Sequence, residues 1–353
     1  MNCSTTIKML KNLVPKLLCP VCTSDKDELS LHVFRDGSAG HVQDGVISCN
    51  GCKTWYPIEN DLLEFIPQSL MYADDIKQFS VRFHEELSAL NLSAINNSDK
   101  TNDISGQLKQ REHYDEWAED DKLSYDDFEN LPFWVANDRA VYERWNKLQN
   151  NPNGWLLDVG CGNGRSAIRL TSPDINVIGI DISKKMVQKA ISRAKESGMH
   201  RTRTFMVGDA NRLSFKSNHF DYAITSGVLS QLPNVKQTCT EIQRILKPSG
   251  IYFGLENNKS MFRGIFDLLS KLIGIWKNET GSDPVISRKM LEDWHVDGPT
   301  KISTMSSVFL PPNLYNFGGE KLAYKLMKMT NGVFYAFGLK NHGGLIIFEI
   351  EKL

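Results

Sequence analysis

Between residues 155 and 255 the chain repeats one pattern, a short apolar run ending in Gly or Asp followed by apolar positions at helical spacing. The runs fall at residues 155–159, 177–180, 204–207, 222–225 and 251–255. Each has the length of a buried strand, so the alternation predicts parallel strands joined by helices, an α/β sheet covered on both faces. Ahead of it, Ile76, Phe79, Phe83 and Leu87 recur at helical spacing within residues 71–90, and residues 107–145 read as further helix. Residues 91–106, rich in Asn, Ser and Asp, have the composition of a linker. Near the N-terminus the apolar positions alternate around residues 29–34, which predicts a small β-rich module. Toward the other end, residues 332–337 and 344–350 flank Asn341-His342-Gly343-Gly344 and predict a hairpin that completes the sheet. Residues 261–276 are apolar on most faces, the pattern of a buried helix or a lid over an apolar acceptor.

A chain of 353 residues has room for one α/β core and a smaller module. The expected divisions are a β-rich module at 15–67, a helical linker with a polar segment at 68–112, and an α/β domain at 113–353 with an acceptor-side insertion at about 257–330. Hydrophobic and charged contents of 41% and 24% are those of a soluble globular protein. The formal net charge of -1 provides no global field that would draw in nucleic acid. Residues 1–18 are interrupted by Lys8, Lys11, Pro15 and Lys16 and lack a cleavage signal, and no run of about 18 apolar residues follows. A cytoplasmic location without a transmembrane segment is expected. Peripheral membrane contact through residues 261–276 is the secondary reading, because that segment lacks a strongly charged opposite face.

The chain has seven cysteines, and Cys3, Cys161 and Cys239 stand alone. Cys19, Cys22, Cys49 and Cys52 form two CxxC pairs separated by 26 residues. In a reducing compartment this pattern points to metal before disulfide, and four thiolates suit tetrahedral zinc. A site closed by four cysteines has no open ligand position, so the zinc is expected to be structural. The long interval requires a hairpin or loop near residues 32–45.

The stretch Leu156-Leu157-Asp158-Val159-Gly160-Cys161-Gly162-Asn163-Gly164 reads as a buried strand, a tight glycine turn and the start of a helix near Arg165. Asp181 ends the next strand 21 residues after Gly160, close to the roughly 20 expected of a carboxylate that binds ribose hydroxyls. It is equally placed to cap the helix that follows. Asp209 ends the third strand, where it could accept a hydrogen bond from an adenine amino group. Asp158 would repel a pyrophosphate but suits a cationic amino group. The turn is also GxGxG where the dinucleotide fingerprint needs GxGxxG, so a nicotinamide oxidoreductase is disfavoured.

Residues 157–164, Asp181, residues 208–210 and the run from Phe220-Asp221-Tyr222 through Gly227-Val228-Leu229 resemble the class I S-adenosylmethionine-dependent methyltransferases. Ile245-Leu246-Lys247-Pro248-Ser249-Gly250 continues the likeness, which is nearest to the ubiquinone and menaquinone methyltransferases. The resemblance implies a Rossmann-like, seven-stranded, mostly parallel sheet. It also implies that Asp158, Gly160, Gly162 and Asp181 hold the methionine and ribose ends of S-adenosylmethionine, with Ile182, Asp209 and Ala210 around adenine. Ser226 and Gly227 would line the cofactor, and Tyr114 would reach the methionine carboxylate. Many relatives carry a histidine where this chain has Ser230-Gln231, which leaves Glu256 as a weak candidate base. Residues 55–67 with the cysteines resemble the zinc ribbon of the small activator subunit that partners tRNA, rRNA and protein methyltransferases. The reading is a methyltransferase for a small-molecule or lipid-like acceptor. The alternatives are an RNA methyltransferase that docks through its ribbon, and a catalytically silent partner that keeps the fold.

Overall fold

A computed structural model describes residues 13–23, 28–37, 42–92, 104–119, 129–150, 154–265, 268, 284–295 and 298–353. The N-terminal module is an antiparallel meander of β1 (Leu29–Asp36), β2 (Val42–Cys49), β3 (Trp55–Glu59) and β4 (Leu62–Glu64). Helices α1 (Ala73–Arg82) and α2 (His84–Ala89) follow, and all four residues of the predicted stripe, Ile76, Phe79, Phe83 and Leu87, are buried. Phe79 stacks on Trp55 at 5.6 Å between ring centroids, and Phe83 lies 5.3 Å from Phe34. These rings fasten the helices to the meander by their largest apolar surfaces.

After α3 (Ser105–Glu119) and α4 (Pro132–Arg144), the five apolar runs form β5 (Trp155–Val159), β6 (Asn176–Asp181), β7 (Arg203–Val207), β8 (Phe220–Ser226) and β9 (Leu246–Asn257). The connecting helices are α5 (Arg165–Arg169), α6 (Lys184–Glu196) and α7 (Val235–Ile245). Then come α8 (Arg288–Trp294), β10 (Thr300–Ser307), α9 (Glu320–Ala336) and β11 (Leu345–Lys352).

The strand order is β1-β2-β3-β4-β7-β6-β5-β8-β9-β11-β10. Its last seven members are the expected seven-stranded sheet, with β7, β6, β5, β8 and β9 parallel and β11 antiparallel. From β5 the chain winds one way through β6 and β7 and then the other way through β8 and β9. Right-handed crossovers in opposite directions place helices on opposite faces and open a crevice between the carboxyl ends of β5 and β8.

The β-rich module is present as expected, and the sequence made no prediction of its junction with the main sheet: β4 pairs in parallel with β7 through Leu63 opposite Met206 and Glu64 opposite Val207. A strand of three residues carries too little periodicity to be read from sequence, yet it covers an edge of β7 that would otherwise expose unpaired amides. The predicted hairpin is incorrect in one arm. Residues 332–337 belong to the end of α9 and the turn after it, and the partner of β11 is β10. The residues α9 buries, Ala323, Met327, Thr330 and Asn331, have helical spacing, and this outweighs the strand preference of Val333, Phe334 and Tyr335.

Of the apolar segment 261–276, residues 261–265 are helical and most of the remainder lies outside the described residues. Met261 and Ile265 are exposed, whereas Phe262 packs against Phe309 and Phe334. Burial on all faces therefore does not hold for its first turn.

Candidate functional site

The glycine turn is strapped to the neighbouring strand. Gly160 and Cys161 both donate from the backbone to Ile180 O, at 2.8 and 2.9 Å, and the Gly162 N–H donates to Asp181 Oδ2 at 2.9 Å. Gly160 has φ +70°, and a Cβ there would stand 2.6 Å from Val228 Cγ2. A side chain is excluded both by conformation and by the loop packed above it.

Asp181 Oδ1 accepts from the Ser183 N–H at 2.9 Å. The cap of α6 is Ser183, whose hydroxyl oxygen accepts from Met186 N at 3.1 Å, so the alternative role considered for Asp181 is filled by another residue. Each Asp181 oxygen holds one backbone amide and retains further acceptor capacity. Asp209 Oδ1 accepts from Asn211 N at 2.8 Å, which fixes the turn after β7. Burial pushes both carboxyls above the usual range, although the amides they hold work against it.

The far wall comes from α3. Its Asp115 accepts from the Tyr72 and Ser183 hydroxyls at 2.5 Å each and from the Lys185 N–H at 3.2 Å. The carboxylate thus sits at the N-terminus of α6, where the helix dipole favours it. This pinning sets Gln110 and Tyr114 on the rim of an open cleft of about 690 Å³ at the ends of β5, β6, β7 and β8.

Gly160, Gly162, Asp181, Ile182, Asp209, Ala210, Ser226, Gly227 and Tyr114 all line this cleft. Asp158 does not. It lies beneath the turn, 1% exposed, with neither carboxylate oxygen in a well-formed hydrogen bond. Burial pushes its pKa up to about 7, and Asp181 adds to the shift while the Ala167 amide and Arg203 offset part of it.

In the N-terminal module the Cys19, Cys22, Cys49 and Cys52 sulfurs lie within 4.8 Å of one another, with Cys19 to Cys52 and Cys22 to Cys49 both at 3.5 Å. Four sulfurs at about 2.3 Å from one tetrahedral zinc would be about 3.8 Å apart, so the donor set fits that ion. Tyr56 and Thr54 hydroxyls lie 3.0 and 3.2 Å from Cys19 and Cys52 sulfur, supplying outer partners. The first knuckle rests on the loop after Asp209: Leu18 N donates to Ser214 O at 3.0 Å and Arg212 donates to Val21 O at 3.1 Å.

Residues 150–282, which contain the glycine turn and most of the cleft, match the family model for a methyltransferase domain. The chain carries a methyltransferase domain. Residues 13–61, with all four clustered cysteines, match the model for a Trm112p-like protein, so the β-rich module is Trm112-like.

Among similar proteins is a demethylmenaquinone methyltransferase of Symbiobacterium thermophilum, 31% identical over 35% of this chain and 53% of its own length. Another is the 27-O-demethylrifamycin SV methyltransferase of Amycolatopsis mediterranei, 32% identical over 38% of this chain and 50% of its own. The chain thus spans about half the length of these relatives. Solved structures include a complex between the Haloferax volcanii Trm112 methyltransferase activator and a methyltransferase, at 18% identity and a TM-score of 0.44 over 68% of this chain and 96% of that one.

Within the methyltransferase domain, Glu256 is not a solvated strand end. It is 1% exposed, and its Oε1 accepts from the Val228 and Leu229 N–H groups at 2.9 Å each. It fixes the loop after β8 and is not part of the cleft lining. His295 is buried against Leu291 O and Tyr252, also outside that lining. The sequence reading missed Gln110, Met186 and Leu232, which reach the cleft from helical or loop positions. Their only signal was position, one turn into α6 for Met186 and one turn before Tyr114 for Gln110.

Proposed function

We propose that this protein is an S-adenosylmethionine-dependent methyltransferase acting on a small-molecule or lipid-like acceptor. The observation that carries the reading is the pair of strand-end carboxylates, Asp181 and Asp209, facing one cleft beside a GxGxG turn that has Arg165 where a dinucleotide fingerprint places its third glycine. Asp181 suits ribose hydroxyls as an acceptor, and Asp209 suits the adenine amino group. Ile182, Met186, Ala210 and Leu232 supply apolar surface for a purine. Asp158 is buried beneath Gly160 and outside the cleft lining, so in this reading it favours a cationic amino group through its charge and not by contact. Tyr114 stands where it can bind a carboxylate.

When bound, S-adenosylmethionine supplies an already activated sulfonium methyl. The residues of this chain have three tasks: to hold the donor, to align the acceptor in line, and to exclude water. Glu256 is a positioning residue in this account, since its carboxylate is committed to the Val228 and Leu229 amides. The four-cysteine cluster holds structural zinc. The domain divisions proposed are 15–67, 68–112 and 113–353.

The similar proteins include, by name, methyltransferases of demethylmenaquinone, 2-phytyl-1,4-naphtoquinone and sterol, which supports a small-molecule or lipid-like acceptor. Among the described residues no helix is long and apolar enough to cross a membrane. A cytoplasmic location is part of the proposal. The test is incubation of the pure protein with methyl-labelled S-adenosylmethionine and separated lipid, metabolite and RNA pools. Label in the lipid or metabolite pool is expected. Label confined to RNA would overturn the acceptor assignment.

A further inference from the structure

We propose that the outer face of α9, with the helical turn after β9, is a docking surface for an anionic phospholipid bilayer. At about 100° per residue, Leu322, Met329 and Val333 of α9 fall on one stripe, and they are 52%, 59% and 48% exposed. Lys321, Lys325 and Lys328 run along one flank of that stripe and are also exposed. The opposite flank is packed, with Ala323, Met327 and Thr330 buried. Apolar stripe and basic flank are therefore presented together on the solvent side, the arrangement of a helix that lies in a membrane interface.

The apolar surface continues beyond the helix. Phe317 precedes α9 and Phe337 follows it, and they are 71% and 78% exposed. Met261, Ile265 and Leu268 are exposed as well. They adjoin the C-terminal part of α9, because Phe262 lies 5.0 Å from Phe334 and 5.4 Å from Phe309 between ring centroids. Exposed apolar side chains from two segments are thus present near the C-terminal end of α9.

Charge decides the occupant. The acids near the basic flank are Glu320, at the start of α9, and Glu143 of α4, which reaches Lys328 at 3.7 Å in an exposed pair. Such a pair contributes little and leaves the flank cationic. Three lysines beside a stripe ending in exposed phenylalanines complement lipid phosphates above acyl chains.

Position gives the surface a consequence. The Tyr335 hydroxyl donates to Ser306 O at 2.5 Å and the Gly344 N–H donates to Val308 O at 2.7 Å. The C-terminal end of α9 is therefore tied to the end of β10, which runs in the same direction as β9. That edge of the sheet also carries the cleft, so docking here turns the acceptor side toward the apolar phase. The proposal goes beyond methyl transfer and does not require it.

The test is sedimentation of the full chain with vesicles of phosphatidylcholine alone and of equal parts phosphatidylcholine and phosphatidylglycerol. Binding is expected to the mixed vesicles and to weaken with salt. Replacing Lys321, Lys325 and Lys328 by Gln should lower the partition coefficient about fivefold per lysine. Met329→Glu with Val333→Glu should lower it at least tenfold on the mixed vesicles. These positions are exposed and outside the cleft lining, so calorimetric cofactor binding by the variants, unchanged from the parent, serves as the folding control. No sedimentation with mixed vesicles would overturn the proposal, as would binding that neither variant weakens. Concentration-dependent dimerisation abolished by Met329→Glu would assign the face to a second copy and overturn it too.

Discussion

Lys184 Nζ lies 2.6 Å from Glu64 Oε1 and 2.6 Å from Asp75 Oδ2, joining the last strand of the Trm112-like module to the first residue of the helix that follows the Asp181 turn. Burial alone would lower the lysine pKa, but Glu64 and Asp75 outweigh it and hold the ammonium above its usual value. For Glu64 the balance is reversed, since burial raises its carboxyl more than Lys184 lowers it. The pair is thus a partial compensation for a buried carboxylate, and removing the lysine alone is the costly change. Lys184→Met is expected to destabilise the protein by ~3 kcal/mol in urea unfolding, and adding Glu64→Gln should recover most of the loss. Equal stability of Lys184→Met and parent would show the contact to be idle.

Asp158 makes the unliganded protein sensitive to pH. Its carboxyl is raised to about 7 from an ordinary value of 3.8, chiefly by burial. Between these values the folded state keeps a proton that the unfolded state has released, so stability falls as pH rises and levels off above about 7. Asp158→Asn should abolish this fall and be the more stable form at pH 8, by a few kcal/mol at most. Melting temperatures of both proteins at pH 5 and pH 8 check it. If the ionised carboxylate favours an ammonium through its charge, the same variant binds S-adenosylmethionine more weakly at pH 8.

Glu256 is assigned to loop support, which a conservative replacement can separate from base catalysis. Glu256→Ala leaves two buried amides without an acceptor and should weaken cofactor binding about tenfold. Glu256→Gln keeps an acceptor oxygen and should retain most of the affinity and turnover. Turnover lost equally in both variants with affinity intact would instead identify a catalytic base.

The cysteine cluster predicts one zinc per chain by elemental analysis. Cys49→Ser should remove it and lower stability by about 4 kcal/mol or more, as loss of a structural metal does. Purified protein with full stability and no zinc would refute the assignment.

What the sequence made legible was whatever is written locally. Gly160, Asp181 and Asp209 each punctuate the end of an apolar run, and the CxxC spacing sets its own geometry. Met186 and Gln110 reach the cleft only because α6 and α3 are pinned together through Asp115, a contact between residues 68 positions apart in the case of Ser183. The helix at Val333 and Phe334 was misread because its identity comes from the face it buries, not from the strand-favouring residues at its end. The merger of the two sheets depends on three residues pairing with β7, which no local pattern could announce.

The central claim is that the cleft receives S-adenosylmethionine, and titration calorimetry on the full chain tests it most directly. One site per chain is expected, weakened at least tenfold by Asp181→Asn, which preserves one amide contact but removes the anionic acceptor. Absence of binding by the folded, zinc-loaded protein, or equal affinity of the variant, would contradict the account.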